Sequence, residues 1–169
     1  LTGKSGALIR CRPDGTDPEV LCRGFVNLVE LVFTPQGEMI GTDNFFRKPV
    51  GPLRDALVDL APGGLYPLSL EDKGTPQPIT GLPLPAISLF PAVAPSGLAR
   101  YEGSTWGSPF RGQLFSAQHN SRKVQRHELV RTGSTFASHD VDFLTSDDPD
   151  FHPSDVLQDA DGSLLVIDT

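Results

Sequence analysis

The sequence predicts an all-β chain forming part of a β-propeller, about three blades of it, within a longer protein. Three observations predict this. The stretch His152 to Asp168, HPSDVLQDADGSLLVID, reads as two short strands around Asp161-Gly162, a dipeptide whose glycine supplies the positive φ of a tight hairpin turn. The pattern recurs: moved back 125 residues, Asp161-Gly162 falls on Gln36-Gly37, Leu164 on Met39, Asp168 on Asp43, Val156 on Leu31, Asp155 on Glu30 and His152 on Asn27. A looser copy has Gly112-Gln113-Leu114-Phe115 at the turn, preceded by Pro95-Ser96-Gly97-Leu98, so the turn glycines lie 75 and 50 residues apart. Propeller blades run roughly 40 to 50 residues, and about four to eight of them close a ring. The third observation is compositional, since helix signals are nearly absent while 17 Gly and 16 Pro suit turns between many short strands.

In chain order, Gly6 to Arg12 and Pro18 to Arg23 read as a hairpin turning at Pro13-Asp14-Gly15-Thr16, the outer half of a first blade (residues 1–24). Cys11 and Cys22 sit across this hairpin, as a cross-strand disulfide or as two free half-buried thiols. Asn27 to Phe33 and Glu38 to Thr42 begin a second blade (25–93). The run Leu28, Val29, Leu31, Val32 and Phe33 is almost continuously apolar, which suits a sheet packed on both faces. Arg54 to Leu60 reads as a strand or a helical turn. Prolines at 76, 78, 83, 85, 91 and 95 remove donors and fix φ, so strands there are short or at an edge. This irregular insertion stretches one repeat interval. Leu98 to Tyr101, Gly112 to Gln118, Lys123 to Leu129 and Phe136 to Leu144 then give the four strands of a complete blade (94–145), and residues 146–169 open the next.

The 14 basic residues are outnumbered by 21 acidic ones and Arg122-Lys123 is the longest basic run, so a nucleic-acid backbone would be repelled. No apolar run approaches the ~20 residues of a membrane helix.

In a propeller blade the chain runs up and down four times, outward from the axis. The lead-in to the innermost strand and the loop between the second and third strands therefore share one face. That rule gathers Asn27, Ser96 and His152 with Asp43, His119, Asn120, Arg122 and Asp168 at one mouth of the central channel, joined by Arg23 at the end of an outermost strand. Polar groups converging from separate blades are where a propeller binds a ligand. Each also has a plainer reading: His152 closing a loop on backbone carbonyls, His119 solvated, Asp43 and Asp168 forming Asx-turns rather than ligating calcium, Trp106 and the phenylalanines packing between blades.

The runs APSGLARY (94–101) and FRGQLF (110–115) resemble the glucose/sorbosone dehydrogenase type of six-bladed propeller, and Gly24-Phe25-Val26-Asn27 is similar to a Gly-His/Leu-Arg-Asn segment of that family. APSGLARY together with LFSAQHNSRKVQRHEL, SDDPDFHPSDV and DADGSLLV looks like the propeller domain of planctomycete-type large membrane-bound dehydrogenases, which often carry helical repeats and a c-type haem domain further on. The resemblance implies a periplasmic or secreted protein oxidising a sugar or alcohol. It implies pyrroloquinoline quinone with calcium, a histidine base, and arginines against the cofactor's carboxylates. On these residues His152 is the first choice of base and His119 the second. Asp155 would orient the His152 ring, Arg23 and Arg122 would neutralise carboxylates, Asn27, Ser96 and Asn120 would line the cofactor, and Asp43 and Asp168 would hold calcium. Val26 stands where the family has arginine, and valine can neither pair with a carboxylate nor stabilise a reduced quinone. No Cys-x-x-Cys-His occurs in these 169 residues, which assigns any haem to another part of the full-length chain. The alternatives are a non-catalytic propeller binding glycan or protein through the same mouth, and a metal-dependent lactonase built on Asn27, Asp43 and Asp155.

Overall fold

The computed structural model describes residues 6–46, 54–68 and 81–169, and over them the architecture is all-β. Strands β1 (Gly6–Arg10) and β2 (Glu19–Phe25) form one hairpin. Strands β3 (Asn27–Phe33), β4 (Met39–Phe46), β5 (Arg54–Asp59) and β6 (Ser88–Phe90) form a four-stranded antiparallel sheet in sequence order. So do β7 (Pro95–Arg100), β8 (Leu114–Gln118), β9 (Lys123–Thr132) and β10 (Thr135–Thr145), and β11 (Pro153–Gln158) with β12 (Leu164–Asp168) makes a last pair. The segment after Arg54, which the sequence leaves between strand and helical turn, is a strand. Pro76 and Pro78 of the proline-rich insertion lie outside the described residues.

The three repeat glycines explain why the hairpins close where they do. Gly37, Gly112 and Gly162 have φ of 89°, 85° and 86°, a region that side-chain-bearing residues rarely occupy. Around two of them the turn is the same bond for bond. Gly37 N–H donates to Thr34 O and Gly162 N–H to Asp159 O, both at 3.0 Å, and Thr34 and Asp159 donate in turn to Glu38 O and Ser163 O at 2.8 and 2.9 Å. Each of the innermost strands β3, β7 and β11 carries a register shift near its start, between Leu28 and Glu30, Pro95 and Leu98, and Pro153 and Asp155. Such bulges increase local twist.

Among the described residues the core forms three layers, each between neighbouring sheets. Cys22 and Phe25 of β2 pack with Ala56, Val58 and Tyr66; Ile40, Leu57 and Phe90 pack with Leu98 and Leu114; Ala99, Phe115 and Val124 pack with Val156. Strand β5 thus sends Ala56 and Val58 to one layer and Leu57 to the next, which accounts for an apolar run without polar alternation. Fully burying one such aliphatic side chain contributes about 1.5–3 kcal/mol. The inner strands approach closely at Gly97, where a Cβ would lie 2.2 Å from Asp155 Oδ1 and 2.5 Å from Asp155 Cα. Both thiols are free: Cys22 pairs with Leu8 in the β1–β2 register while Cys11 lies beyond the strand, exposed. Burial pushes the Cys22 thiol up to about 11.

A polar network joins the second and third sheets. His127 on β9 is completely buried, with Nε2 2.8 Å from Ser116 Oγ on β8 and Nδ1 2.7 Å from Asp140 Oδ1 on β10. Ser138 donates to Asp140 from the same strand and Ser88 donates from β6 of the neighbouring sheet, each at 2.5 Å. Desolvation raises the Asp140 pKa, but the hydrogen bonds from His127, Ser138 and Ser88 overcome it and hold the carboxyl at about 2. A second tie, the ion pair between Arg131 and Glu38, spans the same two sheets nearer the surface.

Because the Asp140 carboxyl is lowered in the folded state, its stabilisation is complete above the unfolded value of 3.8 and is lost as pH falls through about 2. Asp140→Asn should lower stability in urea by about 2 kcal/mol near neutral pH, and the gap to the unsubstituted protein should close between pH 4 and 2. A gap that is independent of pH would show that the ionised carboxylate is not what joins the sheets.

Candidate functional site

The lead-ins to β3, β7 and β11, the end of β4 and the connection after β8 lie at one end of the sheets. Two of the lead-ins are fixed by the same device. Asn27 N–H donates to Asp43 Oδ1 at 2.8 Å, and His152 N–H donates to Asp168 Oδ1 at 2.7 Å. In each case a side-chain carboxyl of the second strand reaches back to the backbone N–H where the first strand begins. The intervening sheet has Gln118 at this position, since Pro95 pairs with Gln118 as Pro153 pairs with Asp168. Backbone bonds do the work there: His119 N–H to Ala94 O at 3.2 Å and Asn120 N–H to Val93 O at 2.9 Å, with Asn120 Nδ2 reaching Ala92 O at 3.3 Å.

That closure places His119, in the 3-10 turn His119–Ser121, against His152 of the next blade. Their rings stack with centroids 4.5 Å apart and planes 15° from parallel. His152 Nδ1 lies 3.2 Å from His119 O, and His119 Nδ1 lies 3.4 Å from Asn120 Oδ1. Both partners are acceptor oxygens, so each Nδ1 carries the hydrogen, and in the neutral form of either ring Nε2 is the acceptor nitrogen. The pair is half-buried and can accept a proton from a ligand in the mouth.

Asp43 is the other unusual group. It is 1% exposed, its Oδ1 takes the Asn27 N–H, and its Oδ2 has no hydrogen-bond partner, nor does the buried Oδ1 of Asn44 beside it. Burial pushes the Asp43 carboxyl up to about 7, opposed by the Asn27 and Val26 backbone bonds and assisted by the charge of Asp55. Asp55 spends both oxygens on backbone, accepting Phe45 N–H and Ala94 N–H at 2.8 Å each. It thereby ties the end of β4 to the lead-in of β7.

Several expected positions are different in the structure. Ser96 is not a lead-in residue, because Ala94 takes that place. Ser96 sits in the β7 bulge, its hydroxyl donating to Ala94 O at 3.4 Å and to Pro153 O at 3.3 Å of the adjoining strand. Asp155 does not orient His152; its Oδ1 accepts its own neighbour Val156 N–H at 2.7 Å and packs on Gly97. Arg23 is not the end of its strand, which continues to Phe25, and its backbone pairs with the segment Gly64–Tyr66. Asp43 and Asp168 stand in different blades, each committed to its own lead-in, and among the described residues no three His, Cys, Asp or Glu side chains converge on a metal position. Arg122, left-handed with φ 53°, closes the turn after His119.

Sequence reasoning missed the Ser116–His127–Asp140 set and Asp55. The former has the order of a hydrolytic triad, but Ser116 and His127 are 0% exposed, so it can act on no substrate and serves as a clamp. No sequence signal marks either group, because only the strand register brings 116, 127 and 140 side by side.

The raised Asp43 carboxyl favours the folded state below the unfolded value of 3.8, and that contribution is lost as pH rises through about 7. Asp43→Asn keeps an acceptor for Asn27 N–H and cannot ionise. Its stability relative to the unsubstituted protein should therefore rise across pH 4 to 7, by up to about 4 kcal/mol, as read by urea unfolding. Parallel pH profiles would mean that Asp43 is ionised in the fold without penalty.

Comparison with known proteins bears on this mouth. A family described as a domain of unknown function (DUF7133) matches residues 87–169. No curated protein matches. Among solved structures, an oxidoreductase of glucose dehydrogenase type from Thermus thermophilus is 20% identical with a TM-score of 0.64, covering 90% of this chain and 42% of its own. The PQQ-bound aldose sugar dehydrogenase of Streptomyces coelicolor is 19% identical with a TM-score of 0.60, covering 89% and 42%. The soluble aldose sugar dehydrogenase of Escherichia coli in its apo form is 19% identical with a TM-score of 0.62, covering 92% and 45%. The chain thus spans less than half the length of these structures, and it shares with them the propeller fold of sugar dehydrogenases.

Proposed function

We propose that this chain is the mouth-forming part of a propeller dehydrogenase that oxidises a sugar or alcohol, with His152 taking the hydroxyl proton. The observation that carries the reading is the stacked His119–His152 pair, contributed by adjacent blades, with both Nδ1 atoms facing acceptor oxygens. A neutral Nε2 in a half-buried site is a suitable general base. His119 supports it twice: its carbonyl fixes the tautomer of His152, and its ring lies against the imidazolium that forms.

Pyrroloquinoline quinone, the group bound in the Streptomyces relative, carries carboxylates, and the described mouth does not fit them. Val26 is 40% exposed where the resemblance expects an arginine. Among the described residues at this end, Arg54 and Lys123 are committed to Phe90 O and Asp142, and Asp43, Asp55 and Asp168 add acidic groups of the cofactor's own sign. Calcium finds two orphaned oxygens, on Asp43 and Asn44, far short of the six to eight oxygens it takes. The parent protein, on this reading, lies outside the cytoplasm; its remaining blades would complete the mouth and supply the cationic groups that hold a quinone, the quinone would take the hydride, and its electrons would pass to a haem carried elsewhere in the full-length chain.

The same mismatch favours a second reading, a mouth that binds a polyhydroxylated ligand without oxidising it, as would the replacement of an acid partner for His152 by a backbone carbonyl. Dye-linked oxidation of sugars and alcohols by the full-length protein separates the two. His152→Ala should reduce turnover by about 10²-fold or more, the usual worth of a positioned base, with circular dichroism unchanged. His119→Ala, which keeps the carbonyl, should cost less. Full turnover in His152→Ala, or no oxidation by the unsubstituted protein, would favour the binding module.

A further inference from the structure

Among the described residues, four that are not glycine have positive φ, and three of them stand at the mouth: Phe45 at 61°, Ala94 at 49° and Arg122 at 53°. Side chains with a Cβ disfavour this region, and for a bulky residue it is a marked cost. Such strain gathers at ligand clamps, where the surrounding structure holds it in place. Here the holding groups are visible. Asp55 accepts the N–H of Phe45 through one oxygen and of Ala94 through the other, at 2.8 Å each, and a fully buried carboxylate fixes both.

The positive φ of Phe45 belongs to the irregular step of the β4–β5 register between Asp43 and Phe46, but the side chain carried there is not used by the core. Its ring is 49% exposed and belongs to none of the three core layers, whereas its neighbour Phe46 is buried in the first. Glycine would adopt the same φ freely, so the fold alone gives no reason for an aromatic ring at this position. The register that pairs Asn27 with Asn44 brings position 26 opposite position 45, and Val26 there is also 40% exposed. An exposed flat ring set among hydrogen-bonding groups matches a pyranose, whose C–H face is apolar and whose rim is hydroxylated.

We propose that Phe45 is a ring-stacking residue of the mouth, which holds a pyranose by its C–H face while Asp55 keeps the aromatic ring presented. The proposal rests on the reading of the mouth as a carbohydrate site and adds the residue that orients the sugar. It requires the ring itself rather than bulk at position 45.

The test uses the full-length protein, titrated calorimetrically with D-glucose, D-galactose and D-xylose in turn, together with Phe45→Leu, Phe45→Tyr, Phe45→Ala and Phe45→Gly. Phe45→Leu and Phe45→Gly should weaken the best-bound sugar by about ten-fold or more, as loss of an aromatic face does, while Phe45→Tyr should stay within about three-fold. Phe45→Gly should melt no lower than Phe45→Ala, because glycine relieves the strain that alanine retains. Unchanged affinity in Phe45→Leu, or an unsubstituted protein that binds none of the three sugars, would overturn the proposal. Dye-linked oxidation measured on the same samples separates it from the dehydrogenase reading: binding that depends on Phe45 without oxidation sinks only the latter, and oxidation with unchanged affinity in Phe45→Leu sinks only the former.

Discussion

The mouth depends on a carboxylate that reaches from the end of a second strand to the backbone N–H that begins its blade. Asp43 does this for Asn27 and Asp168 does it for His152, at 2.8 and 2.7 Å. Asn27 is the last residue the β3–β4 ladder pairs, and His152 precedes β11 and is not paired at all. The side-chain oxygen supplies that N–H with the acceptor the neighbouring strand does not, and the bond sets where the chain enters the channel. The direction in which His152 presents its ring follows from this bond and from the extended backbone that Pro153 imposes on the residue before it. Where the carboxylate is absent, at Gln118, the chain substitutes a short 3-10 turn that carries His119 to the same place. The stacked pair is therefore a product of one blade that uses the staple and one that does not.

Packing of the blades on one another supplies the rigidity behind this arrangement. Each apolar layer lies between two sheets, so the position of one sheet's mouth residues is communicated to the next through Leu57, Phe90, Leu98 and Leu114, or through Phe115, Val124 and Val156. The buried Asp140 network adds direction, because hydrophobic contact alone tolerates sliding whereas Ser88, His127 and Ser138 meet one carboxylate in one register only. A half-satisfied network of this kind would weaken the fold. Here both oxygens of Asp140 and both nitrogens of His127 have partners.

Much of this was legible in the sequence where a local rule applied twice. The offset of 125 residues that aligns His152 with Asn27 and Asp168 with Asp43 is the offset at which the staple and the glycine turn recur in space. The copy in between was misaligned at its first strand. Between Arg100 and Leu114 the third sheet has a long connection, so Gly112 marks the second strand correctly but says nothing of where the first begins, and Ala94 rather than Ser96 leads in. Asp155 was misread for a similar reason: the bulge after Pro153 turns it toward Gly97. Asp55 and the Ser116–His127–Asp140 set left no trace, because single residues on separate strands acquire meaning only through register. Phe45 was equally invisible, since its significance lies in a backbone angle.

The central claim is that a neutral imidazole of His152, held by the His119 carbonyl, faces a hydroxylated ligand in the mouth. A crystal structure of the full-length propeller soaked with a sugar it binds tests this most directly. A ligand hydroxyl within about 3 Å of His152 Nε2, with Nδ1 still on the His119 carbonyl, is the predicted result. A sugar bound elsewhere on the propeller, or a His152 ring whose Nε2 points away from it, would contradict the claim.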